Sequence, residues 1–242
     1  MGTVLDSHFL ALTAIIGYQL LFFFVTALLR FDKVTDFADC PDISCGSLGS
    51  SLGYISADEA VWVWTVSLPL TIVNASDRNP SLKPQDIIGW IMWFVGLTVE
   101  ATADQQKLVF KNSPANRGKW CNIGVWKYSR HPNYFGEILL WWGIFVASTP
   151  VLEDAEWLVV FGPVFLTLLL LFVSGIPLLE TSANKRFGSV EEYRIYRSIT
   201  SPLIPLPPAL YGSLPVWFKL AFLFELPLYS HGIHHEGMLS RS

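Results

Sequence analysis

From Trp157 to Leu179 the chain reads WLVVFGPVFLTLLLLFVSGIPLL, without one charged residue. A run of that length exceeds the roughly 20 helical residues that cross the hydrocarbon core of a bilayer. It restricts the chain to folds in which lipid or other apolar helices surround it. Further hydrophobic segments run from His8 to Leu29, Ala60 to Asn74, Ile87 to Ala103 and Tyr134 to Thr149. With 52% hydrophobic and 15% charged residues, the composition excludes an ordinary soluble domain. The expectation is an all-α, polytopic membrane helix bundle of about five transmembrane spans with a cytosolic C-terminal region. His8–Leu29 lacks a basic flank before it, so it reads as a retained span and not as a signal peptide.

Charge in the loops orients the spans. The connection from Asp104 to Asn133 carries Lys107, Lys111, Arg117, Lys119, Lys127 and Arg130, whereas Pro150–Glu156 carries acids and no base. The first is expected on the cytosolic face and the second opposite it. The net charge of −4 is therefore a balance of segregated patches. Cys40, Cys45 and Cys121 lack metal-ligand spacing, so no metal site is expected, and a Cys40–Cys45 pair is the weaker reading beside free thiols. The Gly/Ser-rich DCPDISCGSLGSSLGY is a linker. SPLIPLPPALYGSLP is an extended proline-rich segment, and the short aromatic VWFKLAFLFELPLY is expected to lie at the membrane interface.

The stretch KYSRHPNYFGEILLWW, Lys127–Trp142, sets polar side chains against an apolar helix. Pro132 suits the first turn of a helix and disfavours helical conformation at His131, so a helix is expected to begin there. Its free amides, with Arg130 and His131 beside them, suit a phosphate or carboxylate. Asn133, Glu137 and Trp141 share one face, and Glu137 must face the protein interior because an intramembrane carboxylate costs at least ~2.5 kcal/mol. Glu100, Asp104, Lys107 and Lys111 form a second polar stripe at helical spacing, converging on the same rim. An interhelical ion pair with a snorkelling Arg130 accounts for these residues about as well as a ligand site does.

The runs EATADQQKLVFK, NRGKWCNIGVWKYSRHPNYFGEILLWWGIF and FVSGIPLLETSANKRFGSVEEYRIYRSITSPLIPLPP resemble the steroid 5-alpha-reductase C-terminal domain family, in its uncharacterised branch. The resemblance implies a domain over residues 59–208, preceded by a span and linker (1–58) and followed by an aromatic interfacial tail (209–242). It implies an NADPH-dependent reductase of a carbon–carbon double bond in a steroid or other lipid, in the endoplasmic reticulum, with membrane lipids around it and no nucleic-acid partner. Lys107 and Arg117 would lie near the cofactor phosphates. Trp126, Arg130, His131, Asn133 and Tyr134 would line the adenosine and pyrophosphate path, with Glu137 and Glu180 in the polar interior and Tyr193, Tyr196 and Arg197 closing the cytosolic side. No catalytic residue is carried over, because the family's spans between a segment like Phe31–Ala38 and one like that around Trp62 have no counterpart here. The R-H-P-x-Y turn and downstream Glu also resemble the isoprenylcysteine-type carboxyl methyltransferases, which use S-adenosylmethionine. A non-catalytic lipid-binding or remnant membrane protein is the third reading.

Overall fold

The computed structural model describes residues 57–78 and 80–230. His8–Leu29, the Cys40–Cys45 pair and the Gly/Ser linker lie outside the described residues. Within them the chain is helical, and its nearest approach to a strand is one isolated parallel bridge between Ser129 and Ser201. The α-helices are α1 (Ala57–Ala75), α2 (Pro84–Asn112), α3 (Pro132–Ser148), α4 (Phe161–Leu168), α5 (Ile176–Phe187), α6 (Glu191–Ile199), α7 (Pro208–Ser213) and α8 (Val216–Phe222).

Among the described residues, two helices are long and apolar enough to cross a bilayer: Pro84–Asn112, of 29 residues, and the composite helix Asp154–Phe187, of 34. The segments read as spans at Ala60–Asn74 and Tyr134–Thr149 are helical, lying in α1, of 19 residues, and α3, of 17.

Two compact units are distinguished. The first takes its described residues from Met1–Ile87 and Ile144–Gly162. In it α1 packs on the 3-10 turn Asp154–Val160, and Gly162 lies so close to α1 that a Cβ there would be 2.6 Å from the Thr65 carbonyl oxygen. Arg78, just past α1, pairs with Glu153 (2.8 Å) and Glu156.

The second unit takes its described residues from Ile88–Gly143 and Pro163–Ser242. In α2 the buried positions Gly89, Gly96, Ala103 and Phe110 recur every seven residues, a narrow seam that α3 fills. A Cβ on Gly143 would meet the Trp93 amide nitrogen at 2.6 Å, and one on Gly136 the Glu100 amide nitrogen at the same distance. The two helices are thus antiparallel and in backbone contact, which small residues permit. Trp90, Ile91 and Phe94 are exposed on α2.

The composite helix is interrupted where its sequence demands it. Pro177 cannot donate to the Val173 carbonyl and its ring crowds it, and the chain loosens into a π-turn at Leu169–Val173 before α5 resumes at Ile176. Gly175 sits at the break, where a Cβ would be 2.6 Å from the Leu170 carbonyl oxygen. Beyond the break α5 carries Glu180 and Asn184, both buried.

Candidate functional site

The site is built on the strand-like pairing of residues 128–131 with 201–206. Arg130 N–H donates to Ser201 O (2.8 Å), Leu206 N–H to Tyr128 O (3.0 Å), and the Ser129 hydroxyl to Leu203 O (2.8 Å). The Ser129 hydroxyl also accepts the His131 N–H (3.1 Å), so the backbone entering α3 is held on both sides. The helix then starts at Pro132, as the proline rule expects. This frame turns Arg130 and His131 inward.

Arg130, His131 and Arg197 converge on Glu180. His131 Nε2 lies 2.8 Å from Glu180 Oε1; Arg130 Nη1 and Arg197 Nε lie 3.4 Å and 3.2 Å from Oε2. Glu225 closes the group from α8's far end. Both its oxygens accept from Arg130 Nη2, at 2.9 and 2.8 Å, and Arg197 Nη2 lies 3.8 Å away. The Tyr211 hydroxyl donates to Glu225 as well. The Arg130 and Glu180 side chains are each 3% exposed, against 24% for Glu225, so Glu225 is the most exposed of the three.

Burial opposes the Arg130 charge, yet Glu180 and Glu225 hold its pKa above the ordinary arginine value. The His131 pKa falls below its ordinary value because burial disfavours the imidazolium, helped by the nearby Arg130 and Lys107 charges and opposed by Glu180. A neutral His131 donates through Nε2–H to Glu180. Two arginines then face two carboxylates, and the centre is electrically balanced.

A second group surrounds Trp126, whose indole donates to Ala103 O at 2.9 Å. Lys107 Nζ lies 5.1 Å above the Trp126 ring, and the Tyr196 hydroxyl donates to Trp126 O (2.7 Å). Gly124 makes this loop possible: its φ is +52°, and a Cβ would run into Gln106, whose side-chain oxygen accepts the Val125 N–H. Tyr193 packs against Trp120 and its hydroxyl reaches Asn184 Oδ1 (3.4 Å). Burial pushes the Tyr193 phenol up to about 12, and those of Tyr196, Tyr211 and Tyr229 also upward.

Of the residues expected from sequence, Arg130, His131, Glu180 and Arg197 therefore meet directly, with Tyr134 stacked on His131 at 5.9 Å. Lys107, Trp126, Tyr193 and Tyr196 form the adjoining aromatic group. Arg117 is exposed on its turn, and Glu137 is half-buried on α3 with no hydrogen bond or ion pair among the described residues. Sequence reasoning missed Glu225, Tyr211, Tyr229 and Asn184. Tyr229 is fully buried, its carbonyl accepts from Asn184 and Arg197 (2.8 Å each), and its hydroxyl donates to Leu171 O. The available signal was the acid in the apolar run LAFLFELPLY, since a carboxylate there needs a partner.

Among the described residues, Arg130 Nε, Asn133 Oδ1 and Trp120 Nε1 are buried without a hydrogen-bond partner, and Arg130 Nη1 has only its 3.4 Å ion pair with Glu180. Unmet buried donors on a guanidinium suit a carboxylate or phosphate oxygen, and an unmet amide oxygen suits an N–H or O–H donor. The residues fit a ligand that offers both.

Comparison with known proteins gives two matches. The model of a family described as "Protein of unknown function (DUF1295)" matches residues 47–200. A probable O-methyltransferase, ustE, of Ustilaginoidea virens is 37% identical over 66 residues, which is 27% of this chain and 23% of that relative. The matched stretch thus spans about a quarter of the curated relative's length. No solved structure matches the chain.

Proposed function

The chain belongs to the DUF1295 family, and from that premise we propose that it is a membrane methyltransferase that uses S-adenosylmethionine to methylate an apolar, lipid-like acceptor. The observation that carries this reading is the balanced charge of the buried centre, where Arg130 and Arg197 are matched by Glu180 and Glu225. A dinucleotide pyrophosphate calls for surplus positive charge, whereas an α-amino acid moiety calls for an arginine and a carboxylate side by side. The likeness to a probable O-methyltransferase supports the same choice. Bound S-adenosylmethionine would supply an electrophilic methyl group. The chain's own residues would do the rest: Arg130 would hold the donor's carboxylate through its unmet Nε–H, Asn133 would accept a hydrogen bond, and the aromatic group around Trp126 and Tyr193 would pack a flat ring.

NADPH-dependent reduction of a lipid double bond is the second reading. It is favoured by Lys107 over Trp126, and by Arg117 and Lys119 nearby in sequence, which together offer positive charge outside the buried centre. For either chemistry the protein's contribution is positioning and electrostatics in a water-poor site. Thermal unfolding of the detergent-purified chain separates the two. S-adenosylhomocysteine is expected to raise the midpoint and NADPH to leave it unchanged. Stabilisation by NADPH alone would transfer the assignment to the reductase, and stabilisation by neither would remove both.

A further inference from the structure

The family match ends at residue 200, yet the buried centre is completed by residues beyond it. Residues 208–230 fold back as α7, α8 and the turn Pro227–Ser230. They are held by Tyr229 on Leu171, by Asn184 and Arg197 on the Tyr229 carbonyl, and by Glu225 on Arg130. Without Glu225, Arg130 and Arg197 would face Glu180 alone, and the centre would be a net cation that seats any anion.

We propose that Glu225 is the specificity-determining residue of the site, its carboxylate receiving the ammonium of a zwitterionic donor whose carboxylate sits on Arg130, so that polyanionic dinucleotides are refused. This deepens the methyltransferase reading and rests on it. Several observations meet in it. Glu225 is the most accessible of the four charged partners, at 24% side-chain exposure against 3%, 3% and 11% for Arg130, Glu180 and Arg197. Its two oxygens provide about four acceptor positions, of which Arg130 takes one on each and Tyr211 takes another on Oε2. Oε1 retains room for one more donor. Arg130 chelates Glu225 through Nη2 and lies 3.4 Å from Glu180 through Nη1, leaving Nε for a second carboxylate. A cation acceptor and an anion donor therefore lie on two side chains that are bonded to each other. Tyr211, itself 1% exposed and beneath Lys219, fixes the Glu225 rotamer.

The test compares two probes that differ only in the amino acid moiety. S-adenosylhomocysteine has it; methylthioadenosine lacks it. In the full detergent-purified chain, the first should bind more tightly by on the order of a hundredfold. Glu225→Gln should lose about tenfold or more of S-adenosylhomocysteine affinity, leave methylthioadenosine unchanged, and gain affinity for inorganic pyrophosphate. Glu225→Asp keeps the charge with a shorter reach; it should fall between the two and serves if the Gln protein does not fold by size exclusion. Equal loss for both adenosyl probes, or no loss for either, overturns the role of Glu225 while leaving the methyltransferase reading standing. A wild-type chain that binds NADPH and neither adenosyl probe overturns that reading and the inference with it.

Discussion

Among the described residues, arginines meet paired carboxylates in two clusters, with opposite consequences. Arg78 meets Glu153 and Glu156 with its side chain 32% exposed, and Glu153 is 69% exposed. Arg130 meets Glu180 and Glu225 with its side chain 3% exposed. In the first, water competes for every partner and side-chain ordering offsets most of the Coulomb gain. In the second, burial of Arg130 and Glu180 strengthens the attraction, but each partner becomes indispensable because its removal strands a buried charge. The same three side chains make a surface clasp in one place and a poised polar centre in the other.

The comparison is broken most severely at Glu180. Glu180→Ala leaves Arg130, Arg197 and His131 without their shared acceptor, and a loss of about 3–5 kcal/mol is expected in equilibrium unfolding in detergent. A loss near zero would mean that water or a rearranged Glu225 replaces the carboxylate. At Arg130, a change to Lys keeps the charge and loses the planar donors. Donor affinity should fall by roughly 1–2 kcal/mol, about tenfold, in a titration with folding checked by size exclusion. Wild-type affinity would place Arg130 in a purely structural role.

A pH titration sharpens the contrast further. The native pKa of His131 lies below its ordinary 6.5 because the ring is buried. As pH falls through about 6.5 the unfolded chain takes up a proton that the folded chain refuses, so stability declines from there down to the native value and is flat above. His131→Gln should remove that slope, whereas Arg78→Ala should leave it intact. The smallest effect is expected at Arg78 itself: Arg78→Ala should leave the unfolding midpoint close to wild type, and a large drop would show that exposure does not separate the two clusters.

The helical class and the start of α3 at Pro132 were legible in sequence, because apolar length and a proline are local signals. Arg130, His131, Glu180 and Arg197 were all singled out, but as separate stations along a cofactor path. Their convergence depends on the 128–131 pairing with 201–206, a contact with no periodic signature. Glu225 was hidden because VWFKLAFLFELPLY reads as interfacial by composition, and nothing local tells an interfacial acid from one folded back onto a distant arginine. Glu137 shows the converse: helical spacing put it on a polar stripe, while the centre formed without it.

In the proposed methyltransferase, the Arg130–Glu225 pair is the seat of the methyl donor. Ultraviolet crosslinking of S-adenosylmethionine, radiolabelled in its methyl group, to the purified full chain tests it most directly when the labelled peptides are mapped. Label is expected within residues 120–134 and 211–229, competed by S-adenosylhomocysteine and not by NADPH. Label elsewhere in the chain, or competition by NADPH alone, would contradict it.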